Sequence, residues 1–259
     1  MVKPWRQYID SMWPKWFRGI GSTPAVHHPD RAWGWLPSRC AICRSWPQAP
    51  LCDTCISRFA PPLHRCCTCA LPLASPAQRC GACLTESPPL DQCLTATAYV
   101  WPWNQLIADF KFHQRAGWAG PLATLMVSAT GAEDALDAAD WVLPIPLSAQ
   151  RLSERGYNQA LLLARQLSPH KTDANLLLRT RHTLAQRTLP RAERLSNLAG
   201  AFAVDPLRSH EIKGRRLVLV DDVMTSGASL HTAAQALRQA GAAHICALVL
   251  ARTEADLEG

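Results

Sequence analysis

Eleven cysteines, ten of them between Cys40 and Cys93, constrain this chain of 259 residues more than any other feature. Eight stand as four pairs: Cys40 and Cys43, Cys52 and Cys55, Cys66 and Cys69, Cys80 and Cys83. Two residues separate the members of each pair, and eight, ten and ten residues separate successive pairs. Each pair offers two thiolates, and tetrahedral zinc takes four. The spacing therefore predicts two structural Zn2+ sites of four cysteines each. Sequential pairing of the knuckles and an interleaved, cross-braced pairing both satisfy the spacing, and the sequential ribbon is the simpler expectation. A disulfide framework is the alternative in an oxidising compartment.

The compartment bears on that choice. No apolar run approaches the roughly 20 residues of a membrane helix. Lys3, Arg6, Lys15 and Arg18 interrupt Met1 to Ile20, so no secretory core is visible there. A cytoplasmic location is expected, where thiols stay reduced and bind metal. A module of about 55 residues with few large aliphatics also needs metal to fold. Cys67 and Cys93 are left over. Cys246 lies in the apolar run from His244 to Leu250 and reads as an inert core thiol.

Three segments follow. Residues 1–38 carry five tryptophans and five prolines and read as a loosely ordered extension. Residues 39–94 form the cysteine module. Residues 95–253 alternate strand and helix patterns. Strands are expected at 96–102, 141–147, 215–220 and 244–251. Helices are expected at 103–112, 121–130, 158–167 and 228–240, the last stopped by Gly241. Continuous apolar strands alternating with helices predict an α/β fold with a parallel sheet covered on both faces. The net charge is +7, and residues 151–216 hold thirteen basic against five acidic side chains, an excess suited to anionic partners.

Leu217 to Val220 would be a central strand, with Asp221 and Asp222 at its C-terminal end, where open α/β sheets bind ligands. Thr225, Ser226, Gly227, Ala228 and Ser229 then form a loop entering a helix. Outward-pointing backbone N–H groups, three hydroxyls and a glycine that admits close approach make an anion site. Two carboxylates beside it can accept hydrogen bonds from vicinal hydroxyls. The combination describes a ribose 5-phosphate.

Val218 to Ser229 resembles the phosphoribosyl pyrophosphate (PRPP) motif of type I phosphoribosyltransferases, with Ser226 and Ser229 where threonine is common. The resemblance implies that Asp221 and Asp222 hold the ribose hydroxyls, that residues 225–229 hold the 5′-phosphate, and that Mg2+ accompanies PRPP. Further along the chain, Pro144, Ile145, Pro146 and Leu147 precede Arg151 and the run Arg155-Gly156-Tyr157-Asn158-Gln159. With Phe110-Lys111-Phe112, Thr183, Gln186, Leu189, Arg194, Asn197 and Ala201-Phe202, this set resembles the ComF/GntX family, whose members also carry an N-terminal cysteine module. That resemblance implies a type I phosphoribosyltransferase-like domain preceded by a small zinc-ribbon module. It makes residues 144–147, with Arg151 and Arg155, the pyrophosphate loop. It makes residues 181–202 a mobile loop bearing Arg187, Arg191 and Arg194. Its partners would be PRPP, single-stranded DNA and the competence machinery. Two activities are compatible with such a pocket: phosphoribosyl transfer to an unidentified acceptor, and non-catalytic handling of single-stranded DNA. No catalytic residue can be read. Any hood over an acceptor base would come from about residues 96–118.

Overall fold

The computed structural model describes residues 38–74, 77–180 and 200–254. The Trp- and Pro-rich extension and the candidate mobile-loop residues Arg187, Arg191 and Arg194 lie outside the described residues.

Four parallel strands form the main sheet in the order β1-β6-β5-β2: β1 (Gln92–Ala98), β2 (Trp141–Pro144), β5 (Arg216–Met224) and β6 (His244–Arg252). β5 and β6 occupy the centre and are apolar on both faces, as strands covered on two sides must be. Alternation sends Leu217 and Leu219 to one core and Val218 and Val220 to the other. The second core is closed by α3 (Trp103–Phe112), α4 (Ala119–Val127) and α7 (Gln159–Leu167) through Ile107, Phe110, Leu122, Met126 and Leu163. The first is closed by α8 (Ala228–Gln239) through Ala233, Ala234 and Leu237, and by an antiparallel pair, β3 (Leu177–Arg179) with β4 (Phe202–Val204). Cys66, Cys69 and Cys83 join that same core, so the second half of the cysteine module packs directly into the domain.

Several boundaries differ from the sequence expectation. β1 begins at Gln92, four residues before the expected start, and ends at Ala98. Its buried side chains are Cys93, Thr95 and Thr97, which show no aliphatic alternation. β5 continues past Val220 through Met224, still in register with β6, so Asp221 and Asp222 lie within the strand instead of just after it. β2 stops at Pro144. Arg151 and Arg155 stand on a helix, α6 (Ala149–Arg155), which the sequence reading left as loop. Its N-cap is Ser148, whose hydroxyl accepts from the backbone N–H of Arg151 at 3.3 Å. The remaining helices are α1 (Asp53–Phe59), α2 (Gly81–Thr85) and α5 (Ala132–Ala138).

Candidate metal centres and ligand site

The cysteine pairs close sequentially. Cys40, Cys43, Cys52 and Cys55 form one group and Cys66, Cys69, Cys80 and Cys83 the other, with the sulfurs of each group within 4.8 Å of one another. Sulfurs at the corners of a tetrahedron about 2.3 Å from zinc lie about 3.8 Å apart. Cys43 and Cys52 are separated by 3.7 Å, and Cys69 and Cys80 by 3.6 Å. Local structure explains the convergence. Cys52 and Cys80 are the N-caps of α1 and α2, which brings Cys55 and Cys83 into the first turns.

The thiols of each group do not titrate alike. Hydrogen bonds from the Ser45 side chain and backbone pull Cys43 down to about 6. Burial alone would raise Cys66, but the Thr68 hydroxyl and the Cys80 backbone N–H bring it to about 6. Burial and neighbouring thiols push Cys55 and Cys69 well above the ordinary thiol range. Four thiolates this close need a cation to coexist, and a divalent ion such as Zn2+ fits both groups. Cys67 and Cys93 belong to neither group.

The candidate ligand site lies at the C-terminal end of β5. Asp222 is buried and forms an ion pair with Lys111 at 2.8 Å, the lysine arriving from the last turn of α3. Asp221 is half-buried, and its carboxylate accepts from the Asp222 backbone N–H at 2.9 Å. Burial first, and the Asp222 charge second, push its carboxyl up to about 7, while Lys111 and Arg155 pull the other way. β5 then turns through Thr225 and Ser226 into Gly227, the N-cap of α8. Ser226 Oγ accepts from the Ala228 N–H at 3.4 Å, which sets the turn that presents Gly227, Ala228 and Ser229. Gly227 has φ +79°, and a Cβ there would lie 2.5 Å from Met224 Cε and 2.9 Å from the His231 ring. Gly227→Ala is therefore expected to destabilise the fold by about 2–4 kcal/mol, from left-handed strain plus overpacking. Denaturant unfolding of the two proteins checks this.

The turn after β2 is tied to β5. The Ile145 N–H donates to Val220 O at 2.9 Å, and the Asn158 side-chain amide donates to Ile145 O at 3.0 Å. The run 155–159 thus works as a buckle. Tyr157 donates its hydroxyl to the Phe110 carbonyl on α3, Asn158 holds the turn, and Gln159 Oε1 accepts from Arg155 at 2.9 Å. Arg155 also lies 5.3 Å from the centre of the Phe112 ring. Across the turn, Arg179 donates to Pro146 O at 3.4 Å and stacks over Phe202. Burial, and then the charge of Arg151, press Arg179 below its ordinary range, while Asp221 opposes them. Arg151 and Arg179 are therefore like charges close enough for one to perturb the other, a repulsion an anionic ligand would relieve, and Arg155 lies within electrostatic reach of Asp221.

Comparisons with known proteins meet this geometry. Residues 163–258 match the phosphoribosyl transferase domain family. "Competence protein F" of Haemophilus influenzae is 36% identical over 178 residues, 66% of this chain and 76% of that protein. The chain belongs to the competence protein F (ComF) family. "DNA utilization protein YhgH" of Escherichia coli K12 is 33% identical over 177 residues, again 66% of this chain and 76% of the relative. "Competence protein ComFC" of Bacillus subtilis is 34% identical over 113 residues, 43% of this chain and 44% of that protein.

For this ComF-family chain, the structure brings Asp221, Asp222 and residues 225–229 together with Pro144 to Leu147 and Arg155 around one end of the sheet. Three residues there escaped the site reading. Lys111 was noted only as part of a matching tripeptide, Gln159 only as part of the 155–159 run, and Arg179 not at all. A lysine ending a helix after two buried apolar turns is the one signal that pointed to Lys111. Arg179 stands in a three-residue strand too short to carry a pattern.

Proposed function

We propose that the protein binds the phosphoribosyl group of PRPP, or a ribose 5-phosphate end, at the C-terminal end of β5, and that it serves the handling of DNA taken up in natural transformation. The observation that carries this reading is the meeting of an acidic pair and a glycine-containing helix entry with Lys111, Arg155 and Arg179. The N–H groups of residues 226–229 and the hydroxyls of Thr225, Ser226 and Ser229 hold the 5′-phosphate. Asp221 and Asp222 accept from the ribose hydroxyls. Pro144 to Leu147, with Arg151 and Arg155, line the pyrophosphate side.

The two aspartates offer only oxygen donors, as Mg2+ requires, and Mg2+ bound with PRPP would neutralise pyrophosphate charge. Lys111 holds Asp222 in place and keeps the carboxylate pair from repelling itself apart. In this reading residues 39–94 are the zinc-bound scaffold and residues 95–253 the ligand-binding part, and the protein works in the cytoplasm. The names of the relatives, competence protein and DNA utilization protein, support the DNA-handling role. So does the basic excess of residues 151–216, which suits a phosphate backbone.

Binding of PRPP and of single-stranded DNA to the protein and to the double variant Asp221→Ala, Asp222→Ala tests the reading. The double variant should lose at least about 100-fold in PRPP affinity, the scale of two charge-assisted hydrogen bonds, and keep salt-sensitive DNA binding. PRPP binding that survives both changes overturns the site assignment. Pyrophosphate release that requires an added acceptor base would make the protein a transferase.

A further inference from the structure

Arg252 ends β6, in register with Met224 of β5 and Ala98 of β1. Its side chain is buried, with the residue 5% exposed. The guanidinium Nε donates to the Cys69 carbonyl at 2.9 Å. Nη1 lies within hydrogen-bond distance of the carbonyls of Met224 at 3.0 Å, Thr225 at 2.5 Å and Thr253 at 2.5 Å, which share its two N–H groups. Cys69 belongs to the second four-cysteine group, and Met224 and Thr225 open the glycine loop. One rigid, planar group therefore spans both, a geometry that the single ammonium of lysine does not reproduce.

A second tie runs beside it. The Cys93 N–H donates to the Cys67 carbonyl at 2.7 Å, and Cys93 Sγ lies 3.5 Å from Met224 Sδ. Met224 is the side chain whose methyl lies 2.5 Å from where a Gly227 Cβ would be. Two routes thus run from the Cys66 to Cys69 knuckle toward the loop, and both end on Met224. The charges agree with the geometry. Zinc on four thiolates carries a formal charge of about −2. A phosphate at residues 225–229 is also anionic, and the buried guanidinium lies between the two.

We propose that Arg252 is a positioning residue that couples the second four-cysteine group to the phosphate loop, so that metal occupancy of that group sets the affinity of the loop for a phosphate-bearing ligand. The affinity part rests on the reading of residues 225–229 as a phosphate site. The mechanical part does not.

The test uses the full-length, zinc-loaded protein with ribose 5-phosphate as the probe. Arg252→Met should weaken binding by about tenfold, the loss of one or two charge-assisted hydrogen bonds. Cys80→Ser should weaken it about as much in the parent protein, and by less than about twofold in the Arg252→Met background, because the two share one route. Losses that simply add overturn the coupling. Arg252→Lys keeps the charge without the fork and should bind with intermediate affinity. Leu136→Ala, a buried truncation in α5, controls for general destabilisation and should stay within about twofold of the parent.

Hydrogen exchange at residues 224–229 separates this inference from the ligand assignment. A parent protein that ignores ribose 5-phosphate removes the phosphate reading but leaves the mechanical coupling open to this second readout. Arg252→Lys, which retains every metal ligand, should exchange about tenfold faster there and unchanged in β2. The same comparison decides the matter where Cys80→Ser does not fold. Unchanged exchange at 224–229, or acceleration throughout the sheet, overturns the proposal.

Discussion

Purified under reducing conditions, the protein should carry about two zinc ions per chain, and chelation should unfold residues 40–83 cooperatively. The size of the effect follows from the geometry. Structural zinc contributes on the order of 10 kcal/mol per site near neutral pH, comparable with the whole stability of a domain. The sulfurs are pre-positioned at 3.7 Å and 3.6 Å across the two groups. The module offers little to replace the ion. The first group is packed chiefly against Ile42 and Phe59. The consequence spreads beyond the module, because Cys66, Cys69 and Cys83 sit in the same core as Leu219, Ile245 and α8. Chelation should therefore also lower the thermal midpoint of the parallel sheet. Inductively coupled plasma mass spectrometry and far-UV circular dichroism read the two arms. A metal content near zero in folded, reduced protein would falsify the assignment.

Lys111→Met should produce the second large effect, and one that grows with pH. The lysine is the cation paired with buried Asp222, and its charge also steadies Asp221. Removing it leaves a buried carboxylate without its counter-ion, which destabilises by about 3 kcal/mol when both aspartates are ionised. The sign of the pH dependence follows from Asp221. Its native pKa, pushed up to about 7, lies above that of the unfolded chain, so the native state binds the extra proton. Stability then falls as pH rises from about 4 to about 7. Without Lys111, which pulls it down, the native Asp221 carboxyl titrates still higher and the fall extends upward. Urea midpoints should differ from the parent by little near about pH 5 and by the full amount near about pH 8. Adding Asp221→Asn to Lys111→Met should recover most of the loss at the higher pH. Equal losses at both would show that the lysine acts through packing of its aliphatic stem.

Both predictions bear on what the sequence could reveal. The cysteine spacing carried its own chemistry, since four pairs of thiols admit few arrangements. β5, α8 and β6 were legible because long apolar runs and a glycine stop are local signals. The extension of β5 through Asp221 to Met224 was hidden by its two acidic residues, which read as the start of a loop. In the structure those residues stay in the ladder with β6, and Lys111 neutralises one of them. α5 and α6 have seven residues each, fewer than two full turns of apolar repeat. β3 and β4 have three residues each, below the length at which alternation can be recognised. Lys111, Arg179 and Arg252 were beyond reach for a different reason. Each draws its role from partners distant in sequence, and no local pattern encodes a partner.

The strand order has a consequence for biosynthesis. β6 lies between β1 and β5, yet among the six strands of the described residues it is the last to leave the ribosome. Until it arrives, β1 has no neighbour in the sheet, and β5 can pair only with β2. A nascent chain must therefore wait, with β1 unpaired and one edge of β5 unsatisfied, while more than a hundred residues are added after β1. Completion of β6 closes both edges at once and brings Arg252, its final residue, onto the carbonyls of Cys69 and Met224. The strand that finishes the sheet is also the one that joins the loop at residues 225–229 to the cysteine module, so a stalled or shortened product would lack both.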